Sequence, residues 1–264
     1  MSAELPRRVQ GAAGTAAALN AGIYRGSNTR EEMRGVAFKL TLLTALFIAL
    51  LMILSIIAWA VVEGGQRVNI GLFINNPSSF DPETAGFRPA ILGTLQLIAG
   101  VIALIVPFGV LSALYLELFA ERTRWYNRLI ELNIQNLAGV PSIVFGILGL
   151  AFIVRGVFDL GFVVAAGSAT IAILVLPTVI LASREAIRAV PSSLLDGALA
   201  LGATRWQAVR KMVLPASLPG ILTGVILSVA RAIGEAAPLL LVGAATFVTF
   251  DPEYFSGGYS ALPV

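Results

Sequence analysis

The chain has 264 residues, of which 57% are hydrophobic and 12% charged, against about 25% charged in an ordinary soluble domain. It has no cysteine and no histidine, which excludes disulfide staples, thiolate chemistry, imidazole bases and the commonest zinc ligands. The net charge of +3 is modest, and a soluble core would be built of short periodic segments, not of uninterrupted apolar runs about twenty residues long, so the composition is that of a membrane protein.

Residues 1–36 are polar and rich in small residues, carry Arg7, Arg8, Arg25, Arg30 and Arg34, and show neither a helical nor a strand period. They read as a mostly flexible cytoplasmic tail. The first apolar run, AFKLTLLTALFIALLMILSIIAWAVV, begins near residue 37, too late for a cleaved secretory signal, and predicts a retained spanning helix over 37–62 with Trp59 at the interface. Residues 63–88, rich in Asn, Pro, Ser and Asp, form an expected external loop.

From residue 89 onward the apolar runs continue. They predict a second span from Pro89 to Ala120, interrupted by Pro107 and Gly109, a third from Ile134 to Val154 and a fourth from Gly161 to Ser183. Met212 to Phe250 is far longer than the ~20 residues a bilayer needs, so it predicts a fifth span over 216–237 and an apolar turn or re-entrant piece after Pro238. Gly220 and Gly224 in GILTG suit close helix packing, or reflect ordinary tolerance of small residues.

Lys and Arg resist translocation, so their distribution sets the orientation. One side collects twelve: Arg25, Arg30, Arg34, Lys39, Arg122, Arg124, Arg128, Arg184, Arg188, Arg205, Arg210 and Lys211. The other has three, Arg67, Arg88 and Arg155. The N-terminus and the segment 184–212 are therefore expected to face the cytoplasm, and five spans leave the C-terminal end outside.

That cytoplasmic segment holds VPSSLLDGALALGATRWQAVRKMVLP. Ser193 with Asp196, and Thr204 with Gln207, each fit a capping box, while Gly202 sits where a helix would close on a left-handed residue. The expectation is a short helix, a glycine turn and a second helix leading into the membrane. Such a unit could read DNA, merely connect two spans, or serve as a docking knob for a cytoplasmic partner. Spans on both sides keep a duplex away.

Asp196, Gly197 and Ala198, then Gly202, then Met212, Val213, Leu214 and Pro215 keep the spacing of the coupling-loop signature of ATP-binding-cassette importer permeases, and the segment resembles it. That signature has Glu, Ala and Ile where this chain has Asp196, Gly197 and Met212. Together with NLAGVPSIVFGILGL, LGTLQLIAGVIALIVPFGVLSALYLE, the outer-loop stretch NPSSFDPETAGFRPAI and RAIGEAAPLLL, the chain from about residue 70 onward is similar to the A-type permease subunits of phosphate-specific importers.

The resemblance implies an all-α polytopic membrane protein with the type I importer permease fold, whose permease core is 89–264 and whose coupling loop, with Asp196, Gly197, Ala198, Gly202, Arg205 and Trp206, docks on an ATPase subunit. It also implies a second permease subunit, two ATPase subunits that use ATP and Mg, and an extracytoplasmic phosphate-binding protein, in a bacterial inner membrane. Family members usually have six spans. The last would begin after YSALPV, so five are expected within this sequence. Many members also carry an arginine after the Leu-Pro of the fourth span, where this chain has Leu181 and offers Arg184 at the membrane edge.

RAIGEAAPLLL places Arg231 and Glu235 four residues apart in an apolar stretch. A charge at the centre of a spanning helix costs roughly 2.5–3.5 kcal/mol, so the two need a compensating environment. At ~1.5 Å per residue Arg231 stands about 24 Å along the helix from Pro215, in the outer half of the bilayer. On one helix face the two can pair and lock the helix against a neighbour. Alternatively they line the translocation path, the arginine fork gripping an oxyanion while Glu235 tempers its hold. Backbone donors at the AGVPS break, residues 138–142, could add to such a path.

No Gly-x-x-x-x-Gly-Lys-Ser/Thr loop is present, so the expectation is a permease without its own ATPase site, needing no cofactor or metal itself. An intramembrane hydrolase would want two converging carboxylates inside the spans, and Glu235 reads as the one deeply placed carboxylate. A permease for sulfate, molybdate or an amino acid, or a structural subunit that lines no pathway, remains open on the residues alone.

Overall fold

The computed structural model describes residues 29–264 except Pro82 and Arg122. The expected tail up to residue 28, and Arg122 of the inner-face count, lie outside the described residues. The chain divides into two units, Met1–Val68 and Asn69–Val264.

In the first unit helix α1 spans Thr29–Gly64, beginning ahead of the apolar run that was expected to open it, because Glu32, Met33 and Arg34 are good helix formers that extend it. Every residue from Glu32 to Gly64 is exposed, and the apolar side chains cover all its faces. An all-round apolar helix suits lipid. Its few polar groups are returned to the helix itself: Thr41 Oγ1 donates to the Ala37 carbonyl at 2.9 Å and Thr44 Oγ1 to that of Leu40 at 2.8 Å.

The second unit contains helices α2 (Ile70–Ile74), α3 (Arg88–Leu114), α4 (Trp125–Ala138), α5 (Ser142–Leu148), α6 (Val164–Arg188), α7 (Ser192–Ala200), α8 (Arg205–Ala208), α9 (Leu214–Ile233) and α10 (Ala237–Leu241). Helix α3 runs on into a π-helical turn over Tyr115–Phe119, α5 into one over Gly149–Val154, and α8 joins α9 through a third over Val209–Val213. No β-strand occurs among the described residues beyond one isolated bridge, Ala245 to Ser260.

Among the described residues four stretches are long and apolar enough to cross a bilayer: Glu32–Arg67, Arg88–Phe119, Val164–Arg188 and Arg205–Ile233. A fifth crossing exists if α4 and α5 with its π-turn count as one broken span. The protein is thus an all-α, polytopic helical bundle.

Sequence expectations change in the later spans too, the fifth ending as a helix at Ile233 and not at 237. The third span is not one helix from Ile134 to Val154, because Trp125–Ala138 and Ser142–Val154 meet at 108°. Pro141 lacks an N–H and pushes Val140 out of the helical region, which ends α4 beside Gly139. Conversely, Pro107 does not interrupt α3, which runs through it, and Gly109 packs against Val179 of α6. The fourth helix continues past Ser183 to Arg188, since Arg184 and Arg188 find acidic partners.

Helix α6 is the centre of this unit, with 72% of its apolar window buried. Val101 and Ile105 of α3 meet Ile171, Val175 and Val179 of α6 in a fully buried seam, which Ile221 and Val225 of α9 extend. Polar contacts also cross the seam, which offsets part of the cost of burying such groups at lipid depth. Ser168 Oγ lies 3.1 Å from the Leu97 carbonyl, and the Thr178 and Ser228 hydroxyls are 3.2 Å apart.

Gly220 and Gly224 of α9 face Ala186 and Ala182 of α6, so small residues spaced by four meet small residues spaced by four. A methyl group at Gly224 would stand 2.5 Å from the Ala182 Cβ, and one at Gly220 would stand 2.7 Å from that of Ala186. Close packing is therefore the role of GILTG.

After α10 the chain runs without helix over the end of the bundle. Ala165 N–H donates to the Tyr254 carbonyl at 3.0 Å, Gln96 Nε2 to that of Pro252 at 3.0 Å, and Leu262 N–H to Thr94 Oγ1 at 2.9 Å. Arg88 and Asp251 pair at 2.7 Å, and the wholly buried Tyr259 lies against Gly167.

Candidate functional site

The segment from Ser192 to Val213 is a compact protrusion. Pro191 caps α7, and no side chain completes the expected box at Ser193. Proline presets the first φ, so the helix starts ahead of Ser193, which becomes an ordinary first-turn residue. Helix α7 ends in a full Schellman closure: Gly202 N–H donates to the Leu199 carbonyl at 2.9 Å and Ala203 N–H to that of Ala198 at 3.1 Å. Gly202 has φ +83°, the left-handed conformation that glycine adopts at no cost.

Thr204 then opens α8 with a complete capping box, its backbone N–H donating to Gln207 Oε1 at 2.9 Å and its hydroxyl accepting from Gln207 N–H at 3.3 Å. Ala198 and Ala208 are buried where α7 and α8 meet. Asp196, Gly197 and Trp206 are exposed, and Leu201 at the tip is 91% exposed. A groove of about 510 Å³ runs between the helices, lined in part by Leu194, Gly197, Ala198, Gln207 and Met212.

Arg205 turns back to the bundle. Its guanidinium donates to the Leu118 carbonyl and lies 5.7 Å from the Phe119 ring centroid, and the Trp206 ring lies 6.5 Å from the same ring, tilted at 45° to it. Two adjacent residues of α8 thus fasten the protrusion to the π-turn that ends α3.

The other candidate residues lie at the opposite end of α9, about 24 Å away along its ~1.5 Å rise. Arg231 Nε donates to Glu235 Oε1 at 3.2 Å. The two do not share a helix, because α9 closes at Ile233 and Glu235 lies past its Gly234 cap. The Arg231 side chain is 51% exposed and that of Glu235 17%. The bond to Glu235 uses one of the five guanidinium N–H donors of Arg231. The AGVPS break supplies no side-chain cap to the short helix α5.

The sequence reading missed a third feature. Arg184, 5% exposed, lies with its Nε 3.3 Å from Glu117 Oε2 and its Nη2 2.8 Å from Glu131 Oε1. Arg188 adds bonds of 3.1 and 2.9 Å to the two Glu117 oxygens and one of 3.1 Å to Glu185. The Glu117 side chain is 7% exposed, a second carboxylate withdrawn from solvent beside that of Glu235 at 17%. Glu117 lies near the end of an apolar run, and the two arginines of α6 that hold it are 67 to 71 positions away, a spacing that no local signal marks. Among the described residues no three acidic side chains form a metal-ligand cluster.

The profile of the family described as "Binding-protein-dependent transport system inner membrane component" matches residues 105–253. The phosphate transport system permease protein PstA 1 of Mycobacterium tuberculosis (strain ATCC 25618 / H37Rv) is 31% identical over 249 residues, 92% of this chain and 78% of that protein. The probable ABC transporter permease protein YqgH of Bacillus subtilis (strain 168) is 32% identical over 188 residues, 69% of this chain and 60% of its own length. A solved amino acid ABC transporter covers 63% of this chain at 22% identity with a TM-score of 0.40.

Proposed function

The chain belongs to the family of binding-protein-dependent transport system inner membrane components, and on that premise we propose that it is a permease subunit of an ATP-driven importer of inorganic phosphate, forming half of the translocation pathway. The observation that carries the substrate is the likeness to a phosphate permease over 92% of the chain. The half-exposed Arg231 is consistent with it. A guanidinium fork matches two oxygens of phosphate and stays charged at any relevant pH.

In this reading the protrusion from Ser192 to Val213 docks on a cytoplasmic ATPase through its exposed residues Asp196, Gly197 and Trp206, while buried Ala198, the Gly202 turn and bundle-bound Arg205 hold its shape. The ATPase supplies ATP hydrolysis with Mg, two copies serving a heterodimer of this chain and a second permease subunit, with a phosphate-binding protein on the outer face. The N-terminus and the protrusion then face the cytoplasm of a bacterial cell. Lipid cannot accommodate an exposed guanidinium in the outer half of the bilayer cheaply, so the exposed side of Arg231 belongs to the partner permease or to the aqueous path.

Labelled-phosphate uptake into vesicles carrying the complete complex tests this. Uptake that requires both ATP and the loaded binding protein is expected; uptake of sulfate or molybdate in place of phosphate would reassign the solute.

A further inference from the structure

The cluster at the end of α3 lies outside the roles assigned above. The π-turn Tyr115–Phe119 is where four elements converge. Arg184 and Arg188, in the last turns of α6 just before the protrusion, hold Glu117 through four contacts of 2.9 to 3.4 Å. Arg205, at the start of α8, holds the Leu118 carbonyl and the Phe119 ring. Arg184 also reaches Glu131 of α4, the helix that leads to the bend at Gly139 and Pro141. The last turns of α6 and the start of α8 are thus fixed to three consecutive residues of the π-turn that ends α3.

The chemistry of the cluster suits a rigid joint. Glu117, Glu131 and Glu185 accept from the two arginines, and forked hydrogen bonds fix relative orientation better than apolar contact does. Glu117 accepts from Arg184 on Oε2 and from Arg188 on both oxygens, and its side chain is withdrawn from solvent.

We propose that Glu117 is a positioning residue that couples the ATPase-docking protrusion to the pathway helices, so that displacement of the protrusion carries α3 and the bent α4–α5 pair with it. This rests on the permease reading above. It assigns Glu117, Arg184 and Arg188 to energy coupling and not to solute binding.

The test uses the complete complex. The chain has no cysteine, so spin labels at Leu201, at the tip, and Phe108, exposed on α3, report their separation by pulsed EPR without and with ATP. In the parent the separation is expected to stay constant through the cycle, the two moving as one body. In Glu117→Gln it is expected to change with nucleotide. A parent separation that already changes, or a Glu117→Gln separation that stays constant, overturns the proposal.

Phosphate moved per ATP hydrolysed is the second readout, expected to fall roughly 5- to 150-fold in Glu117→Gln while ATPase co-purification is unchanged. A merely structural Glu117 would lower assembly and leave that ratio unchanged, which also overturns the proposal. Should Glu117→Gln fail to assemble, Arg188→Gln removes two of the contacts from a half-exposed residue and is read in the same way. A parent complex that moves no phosphate would strike the substrate assignment instead, and the EPR comparison would still decide the coupling.

Discussion

Arg231 Nε donates to Glu235 Oε1 at 3.2 Å across the end of helix α9, a contact closed by the Gly234 turn and not by a helical face. The pair therefore depends on where the helix stops. Arg231→Ala is expected to abolish phosphate uptake while the complex still assembles and its ATPase still responds to loaded binding protein. Arg231→Gln combined with Glu235→Gln separates the two roles: an internal clamp survives a neutral hydrogen-bonded substitute, whereas a pathway arginine does not. Wild-type uptake by the double variant would remove both residues from the pathway.

Gly224 and Ala182 bring α9 and α6 into contact that no larger side chain fits. Gly224→Val is expected to destabilise the detergent-solubilised protein by roughly 1–3 kcal/mol, the usual cost of overpacking, with a lowered Tm. Gly65→Ala, where a methyl group meets nothing within 4 Å, is the control expected to leave Tm unchanged.

Gly202 and Thr204 shape the protrusion by separate local devices. Gly202→Ala forces a side chain into φ +83°, at about 1–2 kcal/mol, and Thr204→Ala removes a cap worth ~1 kcal/mol. Each is expected to weaken co-purification with the ATPase while far-UV CD of the bundle is retained. Full retention of the ATPase by both would separate docking from the shape of this turn.

Glu121 and Arg124 lie between α3 and α4, outside the spanning segments. The hydrogen bond from Arg124, reinforced by its charge, holds the Glu121 carboxyl below the usual carboxylate range. Its folded value is depressed, so its contribution to stability is present above the unfolded carboxylate value and is lost as pH falls through the lowered folded value. Titration followed by carboxyl NMR should show Glu121 moving up to the ordinary range in Arg124→Gln. An unchanged titration would mean that the pair does not persist in solution.

Much of the fold was legible because membrane crossing is written locally. Apolar runs of about twenty residues, the left-handed Gly202, the Thr204–Gln207 box and the Gly220–Gly224 spacing each follow from neighbours a few positions apart. Where a local signal had a local competitor the reading slipped, as when Pro191 started α7 ahead of Ser193, or when Pro107 was absorbed by a helix buried against α6.

The sequence by itself determined that this chain is a polytopic helical membrane protein, that a capped helix pair interrupts its last spans, and that Arg231 and Glu235 stand close enough to meet. Tertiary structure alone decided the 108° bend of α4 against α5, the faces of α6 and α9 that touch, and the assembly of Glu117, Glu131, Arg184 and Arg188 into one cluster. The reason is physical. Hydropathy and capping act within a few residues along the chain, whereas an ion cluster joins groups 53 to 71 positions apart, which only the packing of α3, α4 and α6 brings within hydrogen-bond reach.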